Sequence, residues 1–376
     1  MKNILELKTK TKTLRGTIKL PASKSISNRV LIIRALSSSD FEIVDLSKAD
    51  DTLLMQNLLC KIQNTEKQPR TYRTEIDCQN AGTVFRFLTA FLSATPGNWE
   101  LTGSERMKKR PVKILVDALT NLGADIQHKG EPGYPPLLIK GKKLNGGMVK
   151  VDAGVSSQYI SALLMLAPLL PEGLELELSG KTSSAPYIIM TLRVMEKLGI
   201  SWAYNGRKIK IKPQKYNPTD FIVEPDWSSA AYWYEMAALS ENADIFLPGL
   251  LQNSCQGDAV LPKIYEHFGI KTKFMETGIR LTKTSEANQS FSYDFTPNPD
   301  LAQSVIVTCV GLGIPGEFIV PDNLRIKETD RIEALMTELK KLGYEIWIKK
   351  SGSNSIITLP KQIMEPNNKI KTIKTY

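Results

Sequence analysis

The stretch VDALTNLGADIQHKGEPGYPPLLIKG, residues 116–141, carries the pattern that decides the fold. An amphipathic helix ends on Leu-Gly, and two short strands follow about a turn rich in Gly and Pro. The pattern returns as VMEKLGISWAYNGRKIKIKP (194–213), IYEHFGIKTKFMETGIRLTK (264–283) and MTELKKLGYEIWIKKSGSNSIITL (336–359). Gly123, Gly199, Gly269 and Gly343 stand where the helices stop. The residue closing such a helix takes a left-handed backbone, which glycine adopts without steric cost. A period of roughly 70–75 residues marks tandem supersecondary units. LLMQNLLCKIQ (53–63) reads as a weaker first copy, with Cys60 expected near its cap.

A second apolar helix falls in each period: SNRVLIIRALSS (27–38), VFRFLTAFLSA (84–94), QYISALLMLAPLL (158–170), SAAYWYEMAAL (229–239) and LAQSVIVTCVGL (301–312). Each unit therefore reads βαβαββ, an α/β pattern. Five such units account for the 376 residues, and a sixth would begin near EPNNKIKTIKTY (365–376). The expectation from the spacing is a chain that stops inside its last unit.

A chain of 376 residues suits two cores better than one. Apolar residues make up 42% and charged residues 23%, the balance of a globular rather than a disordered chain. The longest apolar run, 159–170, is broken by Ser161 and Pro168 and is too short to span a bilayer. MKNILELKTKTK at the start lacks the apolar segment of a signal peptide, so a cytoplasmic protein without membrane contact is expected. Cys60, Cys78, Cys255 and Cys309 have no metal-type spacing, and His128 and His267 are the only histidines. A zinc site and a Ser-His-Asp triad are both disfavoured. The net charge of +10 suits anionic partners, although solvated surface lysines account for part of it.

Small polar residues precede nearly every helix: Ser23 to Arg29, Asn80 to Thr83, Ser156 to Gln158, Thr182 to Ser184, Asp226 to Ser229, Pro299-Asp300 and Lys327 to Arg331. Ordinary N-capping explains any one of them. Lys24, Arg29, Arg86, Arg110, Lys327 and Arg331 beside those starts add a second meaning. Free N–H donors, a partial positive charge and a nearby cation together bind phosphate or carboxylate. Equivalent helices of a repeat fold aim equivalent ends the same way, so several starts can share one cleft. Two motifs are decoys. The glycines of GLGIPG (311–316) precede a strand-like EFIV rather than a helix, and Gly180-Lys181-Thr182 lacks the first glycine of a P-loop.

With SKSISNR (23–29), NAGTVFR (80–86), ERMKKRP (105–111), VSSQYISALLMLAP (155–168) and KETDR (327–331) in this order, the chain resembles the 5-enolpyruvylshikimate-3-phosphate synthase family from about Leu14 onward. The resemblance implies two domains, each an inside-out α/β barrel of βαβαββ repeats, with five of six copies present here. The domains would comprise residues 21–224 and residues 1–20 plus 225–376. It implies transfer of the enolpyruvyl group of phosphoenolpyruvate to the 5-hydroxyl of shikimate 3-phosphate, with release of phosphate. Shikimate 3-phosphate would meet Ser25, Arg29, Ser156, Ser157, Gln158, Ser184, Tyr187, Asn323 and Lys327. Phosphoenolpyruvate would meet Lys24, Asn80, Gly82, Arg110 and Arg331, with Arg86 in support. Asp300 and Glu328 would handle protons, with Lys24 beside them. No metal or organic cofactor is required, and the expected partners are the two small molecules of a monomeric enzyme, not nucleic acid.

The family's HRM-type arginine and C-terminal lysine find no match before Tyr376, which leads one to expect an incomplete phosphoenolpyruvate site and an inactive fragment. Phe87 stands where proline is usual and Ala185 where lysine is common, changes that bear on helix packing. A transferase acting on a UDP-linked amino sugar would show Lys-Asn near the N-terminus and a loop cysteine, whereas Ser25 follows Lys24 and RMKKRP has no cysteine. A basic non-catalytic RNA-binding module would place aromatics among the basic residues, and these do not cluster.

Overall fold

The computed structural model describes residues 11–361 and 373, apart from 38, 66–71, 153, 155, 181–183 and 285. The chain opens with β1 (Thr13–Thr17), α1 (Lys24–Leu36), β2 (Ile43–Val44) and α2 (Asp50–Thr65). Then follow β3 (Arg73–Asp77), α3 (Gly82–Ala94), β4 (Gly97–Thr102), α4 (Glu105–Lys108), α5 (Lys113–Asn121), β5 (Asp125–His128) and β6 (Leu137–Gly141). The next unit holds β7 (Gly147–Asp152), α6 (Ser157–Leu166), β8 (Leu174–Ser179), α7 (Ala185–Lys197), β9 (Ala203–Tyr204) and β10 (Lys208–Ile211). It is succeeded by β11 (Phe221–Ile222), α8 (Trp227–Leu239), β12 (Asn242–Pro248), α9 (Leu261–Glu266), β13 (Ile270–Met275) and β14 (Gly278–Lys283). The last described unit is β15 (Tyr293–Asp294), α10 (Ala302–Leu312), β16 (Gly316–Pro321), α11 (Arg331–Lys341), β17 (Trp347–Ser351) and β18 (Asn354–Leu359).

Four sheets share one topology: β3-β4-β6-β5, β7-β8-β10-β9, β1-β12-β14-β13 and β15-β16-β18-β17. In each, the first two strands are parallel and the remaining pairs antiparallel. Two pairings join distant parts of the chain. β1 runs parallel to β12, Thr13 beside Asn242, and β11 runs parallel to β2, Phe221 beside Ile43. A unit is thus closed by a strand borrowed from the other side of a crossing. The crossings themselves are laced together: Ser23 N donates to the Glu224 carbonyl and Asp226 N to the Pro21 carbonyl, both at 2.9 Å.

Buried apolar side chains fall into two clusters, one running from Ile26 to Val223 and the other comprising Leu20 and residues between Trp227 and Leu359. They form the cores of two lobes. In the first lobe α3 is buried on nearly every face, and it packs on α6. A helix apolar all round belongs in an interior, so the sheets lie outside it. β8 (LELELS) shows the complementary rule: its leucines are buried and its glutamates half-buried. On that outer face Glu175 pairs with Lys208 at 3.2 Å and with Lys210 at 3.5 Å, solvent-screened pairs that add little to stability.

The repeat glycines have φ of 97° (Gly123), 88° (Gly199), 76° (Gly269) and 85° (Gly343), all left-handed. The weak first copy differs. Cys60 is not at a cap, because α2 continues to Thr65, and its thiol is exposed. The glycines of 311–316 close α10, with Gly313 at φ 68°, and lead into β16. No described helix is long and apolar enough to cross a membrane.

Candidate active site

Because the first two strands of a unit are parallel, its two helices both start from the same sheet edge. The starts of α1, α3, α6 and α7 in one lobe and of α10 and α11 in the other consequently face a common cleft. Lys24, Ser25, Arg29, Ser156, Ser157, Gln158, Ser184, Tyr187, Asp300, Asn323, Lys327, Glu328 and Arg331 line it. Arg110 lines an adjoining hollow with Arg86, walled also by Ser156, Gln158, Asn323 and Lys327. Asn80 stands one layer behind, its carbonyl accepting from Arg110 Nη1 at 3.3 Å. Thr182 and Ser183 lie outside the described residues.

Capping separates the polar starts into two kinds. Ser156, Asp226 and Asp330 accept from backbone N–H groups of their own helices. Ser23 and Ser184 make no such bond. Ser184 is buried and has φ 59°, a left-handed conformation that is uncommon for a residue with a side chain. Backbone strain of this kind, held by the surrounding structure, points to a functional position. Its amide donates to the Thr296 carbonyl of the other lobe at 2.9 Å.

Arg29 is 2% exposed and its guanidinium is largely spent on the scaffold. It donates to Thr191 Oγ1 (2.7 Å), the Ser25 carbonyl (2.8 Å), Ser161 Oγ (3.1 Å) and the Tyr187 carbonyl (3.4 Å). Its Cζ sits 5.4 Å from the centre of the Phe87 ring, so the aromatic at the unusual position 87 supports this cation. Gln158 is held at both ends, accepting from Arg86 Nη1 at 3.0 Å and donating to Thr83 Oγ1 at 2.9 Å.

Gly82 opens the adjoining hollow. A Cβ there would meet the guanidinium groups of Arg86 and Arg110, lying 2.5 Å from Arg110 Nη2. The Nε atoms of both arginines are buried without a hydrogen-bond partner. Burial, and then the charge of Arg86, lowers Arg110 to about 10. Two buried guanidinium groups turned toward one gap constitute an anion site.

The second lobe supplies carboxylates. Asp300 Oδ1 accepts from Arg331 Nη1 at 2.7 Å and Oδ2 from Tyr187 Oη at 2.5 Å. Burial alone would raise Asp300, but the charges of Lys327 and Arg331, with these hydrogen bonds, hold it well below the usual carboxylate range. Glu328 accepts from Arg331 Nη2 at 3.1 Å; burial would raise it, and Arg331 and Arg110 bring it down to about 2. Burial lowers Lys327. Lys24 lies 3.5 Å from Asp51 at the start of α2. Among the described residues that line the two hollows, six cations (Lys24, Arg29, Arg86, Arg110, Lys327 and Arg331) stand against two carboxylates, Asp300 and Glu328. Such a surplus of cations requires anionic ligands. No group of metal-ligating side chains occurs among the described residues.

Several residues here were given no role in the site by the sequence reading. Thr83 fixes Gln158, while Ser161 and Thr191 back Arg29. A hydroxyl within an otherwise apolar helix, as in YISALLML, was the available signal. Asp258 is buried beside Ser228 Oγ (2.6 Å) and is pushed up to about 7 by burial and then by the charge of Asp300.

Comparison with known proteins gives a consistent picture. The family described as EPSP synthase (3-phosphoshikimate 1-carboxyvinyltransferase) matches residues 8–375. A 3-phosphoshikimate 1-carboxyvinyltransferase of Bacteroides fragilis is 46% identical over 96% of this chain and 85% of its own length. That of Mannheimia succiniciproducens is 36% identical over 89% of this chain and 82% of its own. Among solved structures, an EPSP synthase from Acinetobacter baumannii superposes with a TM-score of 0.68 at 21% identity, covering 92% of this chain and 82% of that one, which shows a shared fold.

Proposed function

We infer the chemistry of the cleft from one premise: the chain belongs to the EPSP synthase family. Its reaction is that of a 3-phosphoshikimate 1-carboxyvinyltransferase of the shikimate pathway. The 5-hydroxyl oxygen of shikimate 3-phosphate bonds to C2 of phosphoenolpyruvate as C3 takes up a proton. The resulting tetrahedral adduct loses a C3 proton, the C2–O bond to phosphate breaks, and inorganic phosphate leaves.

The observation that carries the assignment of residues is the convergence of six cations and four serines on a cleft shared by both lobes. Ser156, Ser157 and Ser184 hold the phosphate of shikimate 3-phosphate, since hydroxyls and helix-start amides meet there. Ser25, Arg29, Gln158, Tyr187, Asn323 and Lys327 surround the ring and its carboxylate. Arg110, Arg331 and Lys24 take phosphoenolpyruvate against the bare backbone of Gly82, with Asn80 behind Arg110. Asp300, ionised in the free site, accepts the hydroxyl proton once Arg331 turns from it toward the ligand. Glu328 serves proton traffic at C3. Fixed cations stabilise charge developing on the carboxylate and leaving phosphate. Residues 21–224 form one domain, and the described parts of 1–20 and 225–376 belong to the other, a division that suits the two cores and the laced crossings.

Titration calorimetry with shikimate 3-phosphate, followed by phosphate release on adding phosphoenolpyruvate, tests this reading. Saturable binding and release of one phosphate per enolpyruvyl product are expected, in place of the inactive chain expected from the sequence, because Lys24, Arg110 and Arg331 line the two hollows. Absence of binding at millimolar ligand would remove it.

A further inference from the structure

Arg106 lies on α4, outside the cleft lining, yet it reaches the other lobe. Its Nε donates to the Lys327 carbonyl at 3.2 Å and its Nη2 to the Arg325 carbonyl at 2.9 Å. We propose that Arg106 is a positioning residue: it fastens the backbone at 325–327 across the cleft and so sets the placement of Lys327, Glu328 and Arg331. The proposal rests on the reading above for what those side chains do.

Three features support it. First, α4 is a firm base. Ser104 Oγ accepts from Met107 N at 3.2 Å, and Met107 is wholly buried in the first core, which leaves Arg106 turned outward beside it. Secondly, the acceptors suit the donor. Residues 322–326 form a 3-10 turn, and the last carbonyls of any helical turn lack partners within it. A guanidinium carries donors in a fixed fork, so it can hold two carbonyls at once and define both the distance and the rotation of the strap between them. Thirdly, the strap bears the second lobe's contribution to the cleft: Asn323, Lys327, Glu328 and Arg331 all line it.

The location is informative as well. On the α7 side of the cleft the lobes are joined by Tyr187 to Asp300 and by the Ser184 amide to the Thr296 carbonyl. Arg106 joins them on the side of Arg110, where phosphoenolpyruvate is assigned. Arg106 stands close enough to Arg110 to oppose its charge, an unfavourable placement that the two carbonyl bonds offset. A cation placed there to bind ligand directly would line the hollow; Arg106 does not.

Arg106→Ala and Arg106→Lys in the full chain test the idea in two ways. Amide exchange of the unliganded protein is expected to quicken about tenfold over residues 322–331 in Arg106→Ala, and by less in the lysine variant, with the rest of the chain unchanged. Kinetically, KM for phosphoenolpyruvate is expected to rise and kcat to fall, about tenfold each, while shikimate 3-phosphate affinity by calorimetry stays within about threefold. Unchanged exchange at 322–331, or faster exchange everywhere, would overturn the proposal. So would an equal loss of affinity for both substrates. A wild-type chain that fails to bind shikimate 3-phosphate would count against the functional reading instead, and the exchange arm would still decide the role of Arg106.

Discussion

Arg331 donates from Nη1 to Oδ1 of Asp300 at 2.7 Å, so the carboxylate assigned as base and the cation assigned to phosphoenolpyruvate neutralise one another in the free protein. The pair explains how a buried carboxylate stays ionised: Lys327 and Arg331 outweigh the effect of burial. A carboxylate held so low is a weak base. Ligand that draws Arg331 away would raise its basicity when the hydroxyl proton must move. Asp300→Asn, which keeps the shape, is expected to lower kcat by about 10²–10⁴-fold with shikimate 3-phosphate affinity within about fivefold. A variant turning over at the wild-type rate would take Asp300 out of the reaction.

Gly82 tests the adjoining hollow. A methyl group there collides with the ends of Arg86 and Arg110, which can move, but only away from the gap they share. Gly82→Ala is therefore expected to raise KM for phosphoenolpyruvate about tenfold or more. Folding stability should change little, because arginine ends shift more easily than backbone. Shikimate 3-phosphate, bound through serines on α6 and before α7, should retain its affinity. Equal weakening of both substrates would mean that Gly82 does not discriminate between the two halves of the site.

Arg29 is expected to matter for folding as much as for binding. Replacement by lysine supplies a point charge where a planar fork satisfies Thr191, Ser161 and two carbonyls. Leaving buried acceptors unmet costs about 1–3 kcal/mol, so Arg29→Lys should lower unfolding free energy by about 2–3 kcal/mol in urea titration. A loss below about 0.5 kcal/mol would show that solvent or neighbouring groups replace the guanidinium.

Much of this architecture was legible because the repeat leaves its mark in residues that obey local rules. Gly123 and its three counterparts need left-handed backbone, and LELELS needs alternate burial, whatever lies elsewhere in the chain. Long-range pairing was less visible. Nothing in TLRGT foretells a partner at 242–248, because a parallel pair leaves no turn between its strands. The cap at Cys60 was misplaced for a related reason: without a glycine, α2 has no local stop, and it runs five residues further. Within the site, the charged residues announced themselves beside helix starts. Arg106 did not, because its partners are main-chain carbonyls, and a carbonyl carries no signature in sequence.

Asp258 offers a test in which pH reads the fold directly. It lies in the second lobe at the lobe junction, where Asn298 donates to the neighbouring Gly257 carbonyl at 2.8 Å. Burial, then the charge of Asp300, raises Asp258 from 3.8 to about 7; Ser228 and Asn298 oppose the rise and Asp226 adds to it. Its Oδ1 has no hydrogen-bond partner. A carboxyl whose folded pKa lies above its unfolded value binds protons preferentially in the native state, so stability falls as pH rises between the two values. For this group the window runs from about 4 to about 7, and the part lost between pH 5 and pH 8 amounts to about 2–3 kcal/mol. Asp258→Asn removes that titration. Its unfolding free energy should therefore fall less than that of the wild type across the same interval, by about 2–3 kcal/mol, and the variant should be the more stable protein at pH 8. Glu235, pushed up to about 7 by burial, contributes the same slope to both proteins and cancels in the comparison. Urea titrations at pH 5 and pH 8 give the result, and parallel pH dependences for the two proteins would mean that Asp258 is already ionised in the native state at pH 5.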